Sequence, residues 1–165
     1  RESSENNDAA AFWKETEESI GEPVVVYGLS QYVSGGNEDG PLWGLIYLTA
    51  TRLFFRHFPQ SNWISAIMSS GGVGSRPQSE KPVKERDVTL IWELRRYESI
   101  TEEREEERRW WRRLIGGRDP YCTLEPVRDR DGEALFPPVV FSIEHNRTEF
   151  LRALRDALAD DAARR

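Results

Sequence analysis

The stretch LWGLIYLTATRLFFRHF, residues 42–58, is almost continuously apolar and breaks once, at Thr49-Ala50-Thr51. A run of that density cut by a polar triplet predicts two strands of a hairpin with at least one face buried. Upstream, PVVVYGLSQYV (23–33) is rich in β-branched and aromatic residues and predicts another strand, followed by the turn-rich loop SGGNEDGP (34–41). In DVTLIWELR (87–95), Val88, Leu90, Trp92 and Leu94 fall on one side, with Thr89, Glu93 and Arg95 on the other. That alternation predicts a strand with one wet face, on which Ile91 is the exception. Three further strands are predicted at 121–127 (YCTLEPV), 133–137 (EALFP) and 139–144 (VVFSIE). RDRDGE makes a turn between the first two, and Pro137–Pro138 a bend between the others.

Three segments carry helical spacing. In DAAAFWKETEESIG (8–21), Asp8 caps the start, Phe12, Trp13, Thr16 and Ile20 share a face, and Gly21 stops the helix. In NRTEFLRALRDALADD (146–161), Asn146 caps, Glu149 follows three residues on, and Phe150, Leu151, Leu154 and Leu158 form one stripe. The third is an inserted helix at 101–115, capped by Ser99 or Thr101. Its acids (Glu102, Glu103, Glu105, Glu106, Glu107) lie toward the positive N-terminal end. Arg108, Arg109, Arg112 and Arg113 crowd the negative C-terminal end, before Gly116–Gly117. Residues 59–86 read as a Gly/Ser/Pro-rich loop around a short apolar island, in which Trp63, Ile64, Ile67 and Met68 recur at helical spacing.

The order is thus about seven strands, with long inserts around the fourth, closed by one amphipathic helix. Such a chain predicts a mainly β (α+β) fold: a partly open barrel or sandwich whose end the Phe–Leu–Leu–Leu stripe plugs. GLIYLTATRLFFRHF is similar to the hairpin of the PH-like superfamily, and within it of the GRAM branch, with its Leu-Thr-x-x-Arg-Leu core. IWELRRYESI resembles the strand-to-turn segment that follows in that family, and FSIEHNRTEFLRALRDAL its last strand and closing helix. The expected organisation is a tail and short helix at 1–21, a PH/GRAM-like domain at 22–160 with insertions at 59–86 and 101–117, and a tail at 161–165. The resemblance implies a non-enzymatic module that binds proteins or membrane lipid. Phosphoinositide-binding members of the PH group place basic residues around the loop joining their first two strands. Here that loop has two acids and no base, so no lipid-site residue carries over.

At 165 residues the chain is long enough for one domain with a real core. A net charge of −6 argues against a general nucleic-acid binder, whose affinity rests on many cationic phosphate contacts. Cys122 is the only cysteine, which rules out an internal disulfide and a thiolate zinc site and suits a reducing, cytoplasmic setting. The first residue is not Met, and a fragment or processed chain is expected. His57 and His145 stand alone in strand and helix-start patterns and are expected to be structural. No nucleophile elbow, zincin, Walker or dinucleotide motif is present, so neither an enzyme nor a cofactor is expected.

Two patches remain as candidate binding residues: Trp63, Ile64 and Met68 in the island, and Arg108, Arg109, Trp110, Trp111, Arg112 and Arg113 in the third helix. Each reads either as a cover over the barrel or as an exposed anchor. An exposed tryptophan–arginine patch suits an anionic membrane surface, to which the chain would be peripheral, and equally a protein partner. A protein partner is the first expectation, because it needs no basic loop.

Overall fold

The computed structural model describes residues 2–58, 86–103 and 120–165, with side chains from residue 7 onward. Seven strands form one antiparallel sheet: β1 (Val26–Ser34), β2 (Leu42–Leu48), β3 (Arg52–His57), β4 (Val88–Glu93), β5 (Tyr97–Glu102), β6 (Tyr121–Pro126) and β7 (Val139–Ile143). The strand order is β4-β3-β2-β1-β7-β6-β5, so β4 and β5 are the two edges although a single 3₁₀ turn, Leu94–Arg96, joins them in sequence. Helices α1 (Glu2–Ile20) and α2 (Arg147–Ala163) flank the sheet. The sheet curls into a partly open barrel closed by its C-terminal helix, the mainly β architecture expected from the sequence.

The inner core follows from the alternation. Leu42, Ile46 and Leu48 of β2, Leu53 and Phe55 of β3, and Val88, Leu90 and Trp92 of β4 point inward and are buried. Phe150, Leu151, Leu154 and Leu158 of α2 close this core, and Leu94 of the 3₁₀ turn joins them. Burying side chains of this size stabilises the fold by roughly 1.5–3 kcal/mol each, before the entropy of ordering them is set against it.

The hairpin is apolar on both faces because a second, outer core exists. Leu45, Tyr47, Phe54 and Phe58 face away from the barrel and are covered by Ala9, Phe12, Trp13 and Ile20 of α1. Trp13 is its centre, with ring centroids 4.5 Å from Tyr27, 5.7 Å from Tyr47 and 5.0 Å from Phe12. Thr16 is buried with this face, as its helical spacing predicts. The N-terminal helix is therefore packed on the sheet. It begins upstream of Asp8, which lies inside it and caps nothing, and it ends at Gly21 with φ +77°, as expected.

Three local expectations change. The seven strands include 97–102, where a strand-to-turn segment and a helix start at 101 were expected, and exclude 133–137. The latter makes only an isolated bridge, Arg128 to Ala134, under the turn that the Asp129 carboxylate organises by accepting from Asp131 N and Glu133 N, both at 2.9 Å. Thr101 and Glu102, expected at a helix start, lie in β5. Asn146 stands at the start of α2 in the left-handed region (φ 59°), and its side chain makes no cap bond; only its carbonyl accepts, from Phe150 N at 2.9 Å. Glu103, also expected in that helix, continues beyond β5 with its N–H bonded to Tyr121 O at 2.9 Å, and residues 104–115 lie outside the described residues.

Candidate interaction surface

Three polar arrangements tie the elements together. In the first, the Glu22 carboxylate accepts from Thr49 Oγ1 (2.8 Å), Thr51 Oγ1 (2.5 Å) and the Arg52 guanidinium (3.1 Å), while Arg52 Nη2 also donates to Ile20 O at 2.6 Å. Burial alone would raise the Glu22 pKa, but the bonds from Thr51, Thr49 and Arg52 and the charge of Arg52 outweigh it and lower it. Thr49 and Arg52 are the polar members of the Leu-Thr-x-x-Arg-Leu pattern; here they fasten the end of α1 to the hairpin.

In the second, Glu102 at the end of β5 accepts from Arg147 (2.6 Å) and Arg155 (3.1 Å) of α2. Its pKa is lowered for the same reason: the two arginines outweigh the effect of burial. Cys122 lies buried beside them, with Arg147 Nη2 4.0 Å from its sulfur. Burial pushes the thiol up to about 11, only partly offset by Arg147.

The third holds the β1–β2 loop. Tyr32 Oη donates to Glu38 O (2.9 Å) and accepts from Gly36 N (2.7 Å), while Trp92 Nε1 donates to Gly35 O (3.3 Å). Gly35 has φ +102°, and a Cβ there would meet Pro138 O at 2.3 Å, so only glycine fits. Arg86 reaches this loop, where it pairs with Glu38 at 2.8 Å. The loop is thus braced by aromatic hydroxyl and indole groups, and the basic residue beside it is already neutralised.

His57 is buried and donates from Nδ1 to Trp43 O at 2.6 Å. Among the described residues no group of three or more His, Cys, Asp and Glu is placed to hold a metal ion, and no helix is long and apolar enough to cross a membrane.

A cleft of about 850 Å³ runs between α1 and the outer faces of β3 and β4, with Phe54 in its floor and Thr16, Thr89 and Ile91 in its walls. Glu15, Arg52, Arg56 and Asp87 give it charges of both signs. Arg52 and Arg56 lie over the Phe54 and Phe58 rings, 5.0 and 4.6 Å from their centroids.

Beside this cleft, no described strand pairs with the outer edge of β4. Leu94 N donates to Thr51 O, toward β3, at 2.9 Å. In an antiparallel ladder the bonding direction alternates residue by residue. Trp92, Leu90 and Val88 therefore bond β3, and Thr89, Ile91 and Glu93 turn their N–H and C=O groups outward. Ile91 is 54% exposed, one of three large apolar side chains so placed among the described residues. The opposite edge differs. β5 has an irregular register between Tyr97 and Ser99, presents Glu98, Ser99 and Thr101 to solvent, and is strapped by Glu102 to α2. Bulges and charges are the usual means of blunting a sheet edge, and β4 lacks them at its centre.

Trp63, Ile64 and Met68, and Arg108, Arg109, Trp110, Trp111, Arg112 and Arg113, all lie outside the described residues. Sequence reading did not foresee the β4 edge, although it held the signal: Ile91 was the single break in the alternation of 87–95.

No family model matches the chain, and no curated protein does. Among solved structures it is similar to one described as the Vps36 N-terminal PH domain, at 16% identity over 87% of this chain and 84% of that one, with a TM-score of 0.48.

Proposed function

We propose that this chain is a non-enzymatic PH-like binding module of GRAM type whose ligand is a protein, and that the partner contributes an extended strand to the free edge of β4. The observation that carries this reading is the outward backbone of Thr89, Ile91 and Glu93 around an exposed Ile91. Main-chain bonds supply affinity in such strand addition, and alternate side chains supply selectivity. The adjoining cleft gives those side chains both apolar floor and charge.

The experiment is to place p-benzoylphenylalanine at position 91 in the full chain, irradiate cells and identify the adduct by mass spectrometry. A defined polypeptide adduct, absent when the probe sits at Glu98 on β5, supports protein binding at this edge. Adducts only with lipid, or none with polypeptide, refute it. The competing reading is attachment to an anionic membrane through Arg108, Arg109, Trp110, Trp111, Arg112 and Arg113, with Trp63, Ile64 and Met68 as a second anchor. It rests on the sequence pattern alone and is tested separately below.

A further inference from the structure

We infer that the strand added to β4 is the β4 of a second copy of this chain, paired antiparallel about a two-fold axis through Ile91. The inference rests on the strand-addition reading and names its partner.

Register is the first argument. Only Thr89, Ile91 and Glu93 turn their main-chain groups outward, so a two-fold antiparallel pairing must set these residues against one another. Five registers satisfy that parity, with the axis at Thr89, Leu90, Ile91, Trp92 or Glu93. The Leu90 axis sets Glu93 against Asp87, two like charges, and the Trp92 axis sets the exposed Ile91 against Glu93. Centring on Thr89 leaves Glu93 beyond the partner's strand, since β4 begins at Val88. Centring on Glu93 sets two carboxylates face to face, which is repulsive. Centring on Ile91 pairs all three: Ile91 with the second copy's Ile91, and Thr89 with the second copy's Glu93 on either side. Each pair then exchanges both N–H···O bonds.

Side-chain chemistry agrees with this register. The exposed apolar residue falls on the axis and meets its own image, which removes Ile91 from water on both copies. Thr89 offers its hydroxyl to the Glu93 carboxylate of the second copy. Beyond these pairs the same register brings Asp87, just before β4, toward Arg95 in the 3₁₀ turn of the second copy. Both are exposed and of opposite sign; Arg95 already pairs with Glu93 of its own chain at 2.5 Å, so Asp87 adds a second carboxylate to it, and the two-fold repeats the attraction at the other end. An edge that is apolar at its centre and carries opposite charges at mirrored ends is complementary to itself. The polar, irregular edge of β5 has no such symmetry.

A pairing of this length buries little area and gives a weak dimer, with a dissociation constant roughly in the tens of micromolar. Sedimentation equilibrium from about 1 to about 300 µM, a range that brackets such a constant, should show the wild-type chain passing from monomer to dimer. Ile91→Lys and Ile91→Glu each set like charges on the axis and should weaken self-association at least roughly tenfold. Their exposed position lets both variants fold, which circular dichroism checks. Mixed in equal amounts, the two should associate with each other, because position 91 faces itself. A monomeric wild type throughout the range overturns the inference, as does a mixture no more associated than its components. The photo-crosslink at position 91 separates this failure from that of the protein-binding reading. An adduct with a different polypeptide overturns self-pairing alone, whereas no polypeptide adduct overturns both.

Discussion

Arg52 holds the Glu22 carboxylate at 3.1 Å and, through the same Nη2, the Ile20 carbonyl at 2.6 Å. One guanidinium thus caps the C-terminal end of α1, where the helix dipole favours a cation, and joins it to the β2–β3 turn. Glu22→Gln keeps the shape but removes the charge, and should cost about 1–2 kcal/mol in urea unfolding at neutral pH. The pH dependence has a definite sign. The folded-state pKa of Glu22 is lowered, so its contribution is present above the unfolded carboxylate value and is lost as pH falls through the folded value. Unfolding curves of wild type and variant should therefore converge in acid; a difference that persists there would show that the charge is not what stabilises the latch.

Trp13 carries a different test. Its Nε1 is buried and has no hydrogen-bond partner among the described residues, although the ring is the hub of the outer core. A buried donor without a partner is itself destabilising, so Trp13→Phe removes a cost together with some contact area. Expected values are within about 1 kcal/mol of wild type for Trp13→Phe, and a loss of about 2–4 kcal/mol for Trp13→Ala. Thermal and urea unfolding of the two variants measures both. Equal losses would mean that the indole nitrogen is satisfied in solution, by a water for example.

These two residues also mark how far the sequence could be read. Alternation in 87–95, the density of 42–58 and the stripe from Phe150 to Leu158 led directly to the barrel and its closing helix, because inner-core burial leaves a strict period. The outer core was half legible. Phe12, Trp13, Thr16 and Ile20 revealed a helical face, but periodicity does not name the surface that a face will cover. Strand 97–102 escaped because YESITE is mostly polar and only Tyr97 and Ile100 are buried. Segment 133–137 was apolar enough to pass for a strand, yet Leu135 is 55% exposed at the turn. The edge of β4 was only hinted at: Ile91 breaks the alternation of 87–95, but which strand ends a sheet is fixed by topology, and a single apolar break does not encode it.

Cys122 should be chemically silent in the native protein. Its thiol is buried and pushed up to about 11, so at pH 8 almost no thiolate exists to react. Ellman's reagent should label it only on unfolding, at a rate that follows urea concentration. Arg147→Ala removes the cation that partly opposes the shift and should leave the thiol no more reactive. Labelling of the folded wild type within minutes would mean that α2 opens away from β6 far more readily than its packing allows.

Attachment to anionic membranes is decided by vesicle co-sedimentation. Under the protein-binding reading the chain should stay in the supernatant with neutral and anionic vesicles alike. The chain carries a net charge of −6, the β1–β2 loop has no basic residue, and the neighbouring Arg86 is paired with Glu38. A bound fraction that needs anionic lipid would oppose that expectation, and salt identifies its origin. Attraction between arginines and headgroups is screened over about 8 Å at physiological ionic strength, so binding should fall sharply as salt is raised. If the bound fraction also disappears in a folded Trp110→Ala/Trp111→Ala variant, the tryptophan–arginine segment is a membrane anchor and the module is peripheral. If it survives in that variant but is lost in Trp63→Ala, the anchor is the apolar island of 59–86.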